Sequence, residues 1–539
     1  MLDFMGRHKI FTGIVILPLT ILLVLVLFVT GYVWVKSYGP HRDYEIDITL
    51  PATASGFTNG DLEVGMAIRD VTPNPDDYDT WVDVNENGHF DEGIDAYTDR
   101  TGSGTFDLVW LAGFHINRPM KEINDPLWSR AVAFRNNDVT IAMVSIDSVG
   151  ITHDRIITMR KMIEAENPDI DHVVIHSTHT HNAPDTMGIW SYWFLWGSRF
   201  DEGYIRMIEE QTRDAVLEAV ENLRPADTII ANAYVPEENF SRDSRQPNVY
   251  DHQMPLAWFR DKQTGESIGT IASWGMHPEA IGARNILSSD FCHYFREAME
   301  NGLEGPGAFE GFGGHSIFFS GPLGGLMTQL GMDITDRHGV TVTRDSVEKA
   351  QAQGENLAIL AAEALRGPDA KVMEDTRVAV AAKTFYAAVG WPFKAALYLG
   401  VVHPGVYGGK AKSEVNALRI GEIGIVTIPG EIFPEIVDGG VESPEGADFP
   451  GEPVEVPPLR MAMSGEIVMV PNLTNDQIGY IVPKTQWDVK PPFTYGRNSK
   501  PYGEEYTGNP EIAPIVHGAS MEMIRRINDL FGERTPTTR

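Results

Sequence analysis

A mixed α/β body in one large domain, preceded by a single membrane-spanning helix, is the fold class this sequence predicts. Three observations carry it. Strand-like apolar runs and amphipathic helical runs alternate unevenly between residues 61 and 531, without a regular βαβ period. An almost unbroken apolar run, Ile10 to Val35, stands ahead of them. The 539 residues contain one cysteine, Cys292, so no disulfide within the chain can staple a weak region.

The apolar run follows Arg7 and Lys9. At about 1.5 Å per residue it is long enough to cross a bilayer of about 30 Å. It exceeds a typical signal-peptide core, no small-x-small cleavage site follows it, and Tyr32 and Trp34 suit a membrane–water interface. Residues 1–36 are therefore expected to form a cytoplasmic tip and signal anchor with the body exported; a cleaved signal peptide is the competing reading. Residues 37–60, mixed in Gly, Pro, Ser, Thr and charge, read as a linker. A domain over 61–531 and a frayed tail over 532–539 complete the expected organisation.

Leu62 to Val71 opens the body as a strand ending in Thr72-Pro73. An acidic insertion over 74–109 follows. Asp83-x-Asn85-x-Asn87-Gly88-x-Phe90-Asp91 places short oxygen side chains at alternate positions before a turn glycine. Sixteen residues later Asp99-x-Thr101-Gly102-Ser103-Gly104-x-Phe106-Asp107 repeats the pattern in weaker form. Calcium takes six to eight oxygens, and loops of this type wrap them around the ion. Ile94 stands where an EF-hand needs glutamate and no helices flank the loops. Helix-free calcium loops are the expected class, with Asp83, Asn85, Asn87, Asp91, Asp99, Ser103 and Asp107 as ligands. A plain acidic turn-rich surface is the alternative.

Ala131–Phe134 and Val139–Asp147 read as strands joined by an Asn136-Asn137-Asp138 turn. Asp154–Glu166 and Ile205–Leu223 have helical spacing. Thr228–Val235, Ser267–Trp274, Ser316–Ser320 and Glu422–Ile428 read as strands, Arg344–Leu365 and Ser520–Phe531 as helices. The formal charge of −32 offers no basic footprint and argues against a nucleic-acid partner. Oligomeric state has no signature here.

One stretch organises the rest: Val173-Val174-Ile175-His176-Ser177-Thr178-His179-Thr180-His181-Asn182-Ala183-Pro184. An apolar strand ends in hydroxyl residues, two histidines one residue apart, and a proline, and ligands in α/β sheets sit beyond strand carboxyl ends. A continued strand would send His179 and His181 to one face, and imidazole is a common zinc ligand; a surface loop whose histidines happen to cluster is the competing reading. Ser273-Trp274-Gly275-Met276-His277-Pro278-Glu279 again ends a strand in histidine, Pro429-Gly430-Glu431 ends one in a carboxylate, and Tyr480 lies in a late Asp476–Pro483 segment. Singly, His277 reads equally as a satisfied buried histidine, Glu431 as a helix N-terminal acid, and Tyr480 as core.

Together, Val64-Gly65-Met66-Ala67-Ile68-Arg69-Asp70-Val71-Thr72-Pro73, the T-H-T-H-x-x-P stretch, W-x-x-H-P, I-P-G-E and the late tyrosine resemble the neutral/alkaline ceramidase family, zinc amidases acting in sphingolipid metabolism. The resemblance covers roughly residues 62 to 500. It implies that His179, His277, Glu431 and Tyr480 hold zinc, with His181 beside it for hydrogen bonding or proton transfer. It also implies that Arg245, in Arg245-Gln246-Pro247-Asn248-Val249-Tyr250, orients the substrate, with Arg242 as the competing alignment. Two departures stand out. Met327 falls where the family carries an active-centre serine, and a thioether can neither deliver a proton nor act as an acyl nucleophile there. The stretch after Tyr480 is also too short for the family's immunoglobulin-like domain.

The expected function is zinc-dependent hydrolysis of an N-acyl amide, of ceramide or another acyl-amide lipid, by an activated water. A non-catalytic cation-dependent surface binding protein and a metal esterase or phosphodiesterase are the rivals.

Overall fold

A computed structural model describes residue 13 and residues 16–36, 39–52, 57–104, 106–191, 193–194, 197–198, 201–391, 394–395, 406–407 and 409–536. In chain order its first elements are α1 (Leu17–Lys36), β1 (Asp47–Leu50), β2 (Glu63–Asp70), β3 (Thr80–Val82), β4 (Ala96–Thr98), β5 (Trp128–Asn136), β6 (Val139–Ile146), α2 (His153–Glu166), β7 (His172–Ser177), α3 (Glu202–Glu221), β8 (Arg224–Tyr234), β9 (Gln253–Asp261) and β10 (Ser267–Trp274). There follow α4 (Phe291–Asn301), β11 (His315–Ser320), β12 (Met327–Thr328), α5 (Val347–Arg366), β13 (Val378–Ala388), β14 (Lys410–Ile420), β15 (Ile423–Thr427), β16 (Glu431–Ile432), β17 (Ile467–Met469), β18 (Tyr480–Ile481) and α6 (Ile512–Phe531).

Two sheets face each other. The larger, nine-stranded, runs β11-β10-β9-β8-β2-β5-β6-β7, with Lys371–Val372 added on β8. The smaller, six-stranded, runs β1-β13-β14-β15-β17, with Val406–Tyr407 added on β14. Strand alternation sorts side chains between layers. Val132 and Phe134 of β5 join Phe259, Ile271, Val380, Leu418 and Ile425 between the sheets, whereas Ala131 and Ala133 face Ile205, Val216 and Ala219 of α3. α4 and α5 pack on the same outer face further along, and α6 covers the outside of the smaller sheet. The result is helix, sheet, sheet, helix: the mixed α/β domain expected, with strands buried on both faces.

α1 stands apart. Leu17–Val35 is long and apolar enough to cross a membrane, and none of it is buried against the body. Arg7, Lys9 and Ile10–Thr12 lie outside the described residues, as do 53–56 of the expected linker and 537–539 of the tail. The described part of 37–60 is not a free linker. His41 Nε2 bonds Thr158 at 3.0 Å, the Lys412 ammonium donates to the carbonyls of His41 and Arg42, β1 pairs with β13, and Phe57 packs edge-on to Phe531 at 5.0 Å. The polar composition misleads because β1 is an edge strand whose partners lie more than three hundred positions away.

The acidic insertion is a two-fold device. β3 and β4 pair so that Thr80 faces Thr98 and Val82 faces Ala96, a pairing unchanged by exchanging the two repeats. Asp95, four residues ahead of Asp99, accepts from Val84 and Asp91 N–H of the first loop at 2.8 and 2.7 Å. Asp79, four residues ahead of Asp83, accepts from Arg100 and Asp107 N–H of the second at 2.8 and 2.7 Å. Each repeat thus pins the other. The paired rings of Phe90 and Phe106, 4.2 Å apart and buried, lie under both loops.

Helix ends shift for identifiable reasons. α3 begins at Glu202 because the Asp201 carboxylate caps it, accepting from Tyr204 N–H at 2.9 Å. α6 begins at Ile512 and not Ser520, because Pro514 sits in its first turn, where a missing N–H costs no bond.

Candidate metal centre

The parallel pairs β6·β7, β10·β11 and β15·β17 are where the site is built, beyond their carboxyl ends. The chain leaves β7 at Ser177 and does not continue extended. His179 sits at φ +68°, a left-handed conformation costing about 1–2 kcal/mol for a non-glycine residue. Neighbouring bonds hold it there: Thr178 N–H to Ile146 O and His179 N–H to Ser148 O, both 2.9 Å, and Ser320 Oγ to Thr178 O at 2.7 Å. So His179 and His181 meet through a turn, not by the strand alternation expected. His176, inside β7, is a satisfied core histidine, donating to Ser145 Oγ (3.1 Å) and accepting Ser320 N–H (3.0 Å).

The rings converge. His179, His181 and His277 lie with ligand nitrogens within 4.8 Å of one another, the one group of three metal-capable His, Cys, Asp or Glu side chains among the described residues. All three are buried. His179 Nδ1 donates to Val149 O at 2.6 Å and His277 Nδ1 to Met327 O at 2.8 Å, which leaves both Nε2 atoms bare and turned inward. Glu431 Oε2 lies 3.2 Å from His277 Nε2 and 3.6 Å from His179 Nε2, and His181 Nε2 lies 3.4 Å from His179 Nε2. Donors bonded to one tetrahedral ion at 2.0–2.2 Å stand about 3.3–3.6 Å apart. These separations match, and the His181 nitrogen belongs to the same group. The residues present fit a metal ion.

Burial alone would raise the Glu431 pKa, but His179 and His277 beside it draw it well below the usual carboxylate range. Gln477 Nε2 fixes its other oxygen at 2.8 Å. Tyr480 is placed by the β16·β18 pairing, directly across from Glu431. Burial, and then the neighbouring Glu431 charge, push the Tyr480 hydroxyl well above the ordinary phenol pKa. Burial also lowers the His181 pKa to about 4 against the opposing pull of Glu279, so its ring is neutral at pH 7.

The wall around His181 is close. Gly113, at φ +100°, lies against it, and a Cβ there would come within 2.4 Å of the imidazole. Phe114 meets the ring edge-on at 5.1 Å. Asp185 gathers the following loop, accepting from the N–H groups of Met187, Gly188, Trp190 and Ser191 and from Ser191 Oγ at 2.7–3.0 Å. The Asp185 role was not anticipated, although an aspartate followed by Thr-Met-Gly is a recognisable turn signal.

Arg245 departs from expectation. Its guanidinium donates twice to Glu504 at 2.7 Å and to the carbonyls of Tyr502 and Gln486, and it stacks over Phe433. It is a buried strut, with those donors engaged before a substrate arrives; Arg242 is exposed. Met327 departs as well: its side chain packs in the core with Leu323 and Leu473, and only its carbonyl faces the site. The calcium candidates lie apart in the insertion. Asn85 and Asn87 amides donate to Asp91 at 2.9 and 2.7 Å, Asp99 accepts from Gly102 and Gly104 N–H, and Lys121 holds Asp83 at 2.9 Å.

A sandwich of this architecture is a fold that solved structures already contain. The chain matches the crystal structure of the neutral ceramidase from Pseudomonas aeruginosa with a TM-score of 0.61 at 15% identity, over 89% of this chain and 76% of that one. A ceramidase complexed with C2 matches with a TM-score of 0.60 at 14% identity, over 89% and 77%. The likeness is one of fold. No family model and no curated protein matches the sequence.

Proposed function

We propose that this protein is a zinc-dependent amidohydrolase, cleaving the N-acyl bond of ceramide or another acyl-amide. The observation that supports it most is the convergence of His179, His277 and Glu431, with both imidazole Nδ1 protons directed outward to carbonyls. Imidazole nitrogen with one carboxylate suits zinc, whereas calcium prefers an all-oxygen shell. Bound there, zinc would supply Lewis acidity and a water of lowered pKa.

The chain's own groups do the rest. His179 and His277 bind through Nε2, Glu431 is held in aim by Gln477, and Tyr480 adds a hydroxyl against the same carboxylate. His181 Nε2, 3.4 Å from His179 Nε2, is the atom that holds and returns a proton at the leaving nitrogen. Phe114 shields that face from bulk water. Arg245 receives no role at the reacting atoms. The amide as scissile group rests on what the fold neighbours are called. We place α1 as a membrane anchor with the body, now beginning at His41, outside the cytoplasm. The insertion is a calcium-stapled arm through Asp83, Asn85, Asn87, Asp91, Asp99, Ser103 and Asp107.

The test is metal analysis of the purified protein followed by a panel of acyl-amides, esters and phosphodiesters, with and without chelator. One zinc per chain and amide cleavage lost to chelator and restored by zinc are expected. Zinc without turnover of any member would favour a binding protein; turnover confined to esters or phosphodiesters would overturn the amide assignment.

A further inference from the structure

Glu279 has no place in the scheme above, yet it is buried beside it. It follows His277 by two residues, in the loop that leaves β10. That loop meets the T-H-T-H stretch twice. His181 N–H donates to Pro278 O at 3.0 Å, and His181 Nδ1 lies 3.1 Å from Glu279 Oε2, at an angle short of a well-aligned hydrogen bond. The other Glu279 oxygen accepts from the hydroxyl of Thr328. Thr328 adjoins Met327, whose carbonyl accepts both the N–H (3.2 Å) and the Nδ1–H of His277.

We propose that Glu279, held by Thr328, is the positioning residue for His181. The carboxylate takes the Nδ1 proton, keeps Nε2 bare, and turns it towards His179 and His277. The dipeptide Met327-Thr328 thereby braces two of the three histidines, one through a carbonyl and one through a hydroxyl and a carboxylate. Two physical points favour this. A neutral imidazole in a buried site has two tautomers, and only a fixed acceptor at Nδ1 selects the one with Nε2 open. Glu279 would otherwise be a buried carboxylate with one short-range partner, a costly arrangement; between Thr328 and His181 both its oxygens are engaged. β12 is itself held by pairing with Arg242–Asp243, so the brace is anchored in main chain.

This inference rests on the zinc site proposed above, and the experiment keeps the two failures apart. Zinc affinity is measured by chelator competition on the full chain and on Glu279→Gln, Thr328→Val and Thr328→Ser. Glu279→Gln neutralises the acceptor and Thr328→Val removes the hydroxyl that holds it, so either change frees the ring to turn an N–H towards the cation. Glu279→Gln should weaken zinc binding about tenfold, the lower end of what an outer-shell loss costs at a metal site, because an N–H of His181 then faces the ion in place of a lone pair. It should also lower kcat on an acyl-amide with KM little changed. Thr328→Val should act in the same direction by a smaller factor, and Thr328→Ser should restore wild-type affinity. Melting curves in chelator, alike for all four proteins, establish that the fold is intact. Wild-type zinc affinity and kcat in Glu279→Gln would overturn the proposal while leaving the metal site standing. Thr328→Ser behaving like Thr328→Val would remove Thr328 from it. A wild-type chain that takes up no zinc would bring down the site and this inference together.

Discussion

The buried histidine cluster and the exposed acidic insertion are both candidate cation sites, and they are made in opposite ways. The insertion is local: its oxygens fall within twenty-five positions and its two halves pin each other, with most of its loop residues, Asn85 and Asn87 among them, exposed and Asp79, Asp83 and Asp95 tucked under. The cluster is assembled from strand ends up to three hundred positions apart, and every donor in it is buried. A local site can be built or lost without disturbing the fold. A buried one is paid for by the fold, and its residues depend on main-chain neighbours, as His179 at φ +68° does.

The sharpest break between them is His179→Ala. It should abolish zinc binding and reduce hydrolysis to background while the calcium response of the melting curve persists, read by metal analysis and calorimetry on one preparation. A calcium response that disappears with it would mean the two regions are not independent.

Next in size is the insertion. Calcium at a hundred times its dissociation constant should stabilise the folded chain by about 2.7 kcal/mol. Asp83→Ala with Asp99→Ala should erase that gain without changing zinc content. A melting temperature that ignores calcium in the wild-type chain would refute the calcium-stapled arm.

Acid separates the regions further. His172 opens β7 at the end away from the cluster and His176 lies near its other end, and burial lowers their pKa values to about 4 and about 3. Both take a proton on unfolding below pH 6.5 but stay neutral when folded. The stability they support is full above pH 6.5 and drains as the pH falls towards those folded values. Between pH 6.5 and 5 each should cost about 2 kcal/mol in a urea titration, and His172→Gln should flatten that slope. Asp83, with Lys121 and Gly88 N–H overriding its burial, and Asp91 and Asp99, hydrogen-bonded by their own loops, have lowered pKa values. The calcium increment should therefore survive at pH 5, and its loss there would merge the two regions.

The smallest effect expected at the cluster is from Met327→Ser. Its carbonyl, not its thioether, meets His277, so zinc affinity should stay within about twofold, although the vacated core position costs about 2 kcal/mol or more of stability. Substantial zinc loss in an intact Met327→Ser protein would show that the side chain matters after all.

Much of the fold was legible because buried strands such as β6, β7 and β10 announce themselves as apolar runs with turn residues at their ends. β13 and β14 were not. Lys412, Glu414 and Asn416 interrupt β14, and they are tolerated because Arg160 reaches across from α2 to pair both Glu414 oxygens at 2.7 and 2.9 Å. A pairing over 254 positions leaves no local trace. Histidines at strand ends pointed to the site, and the echo of Phe90 in Phe106 pointed to the paired loops. The role of Glu279, though it stood in the stretch with His277, was hidden for the same reason as β14: its meaning lies in Thr328 and His181, neither near it in the chain. Arg245 shows the converse, since a local pattern suggested a free guanidinium where Glu504 had already claimed it.

The early attachment of the chain to the body has a consequence for reach. α1 ends at Lys36, and His41 is already bonded to α2. Fully extended, the gap spans about 17 Å. With α1 as the proposed anchor, the protein would be leashed, not swung on a long arm, and its body would explore only a shallow layer above the bilayer. For substrates dissolved in that same bilayer, the search becomes two-dimensional, and encounter would be governed by surface density more than by bulk concentration.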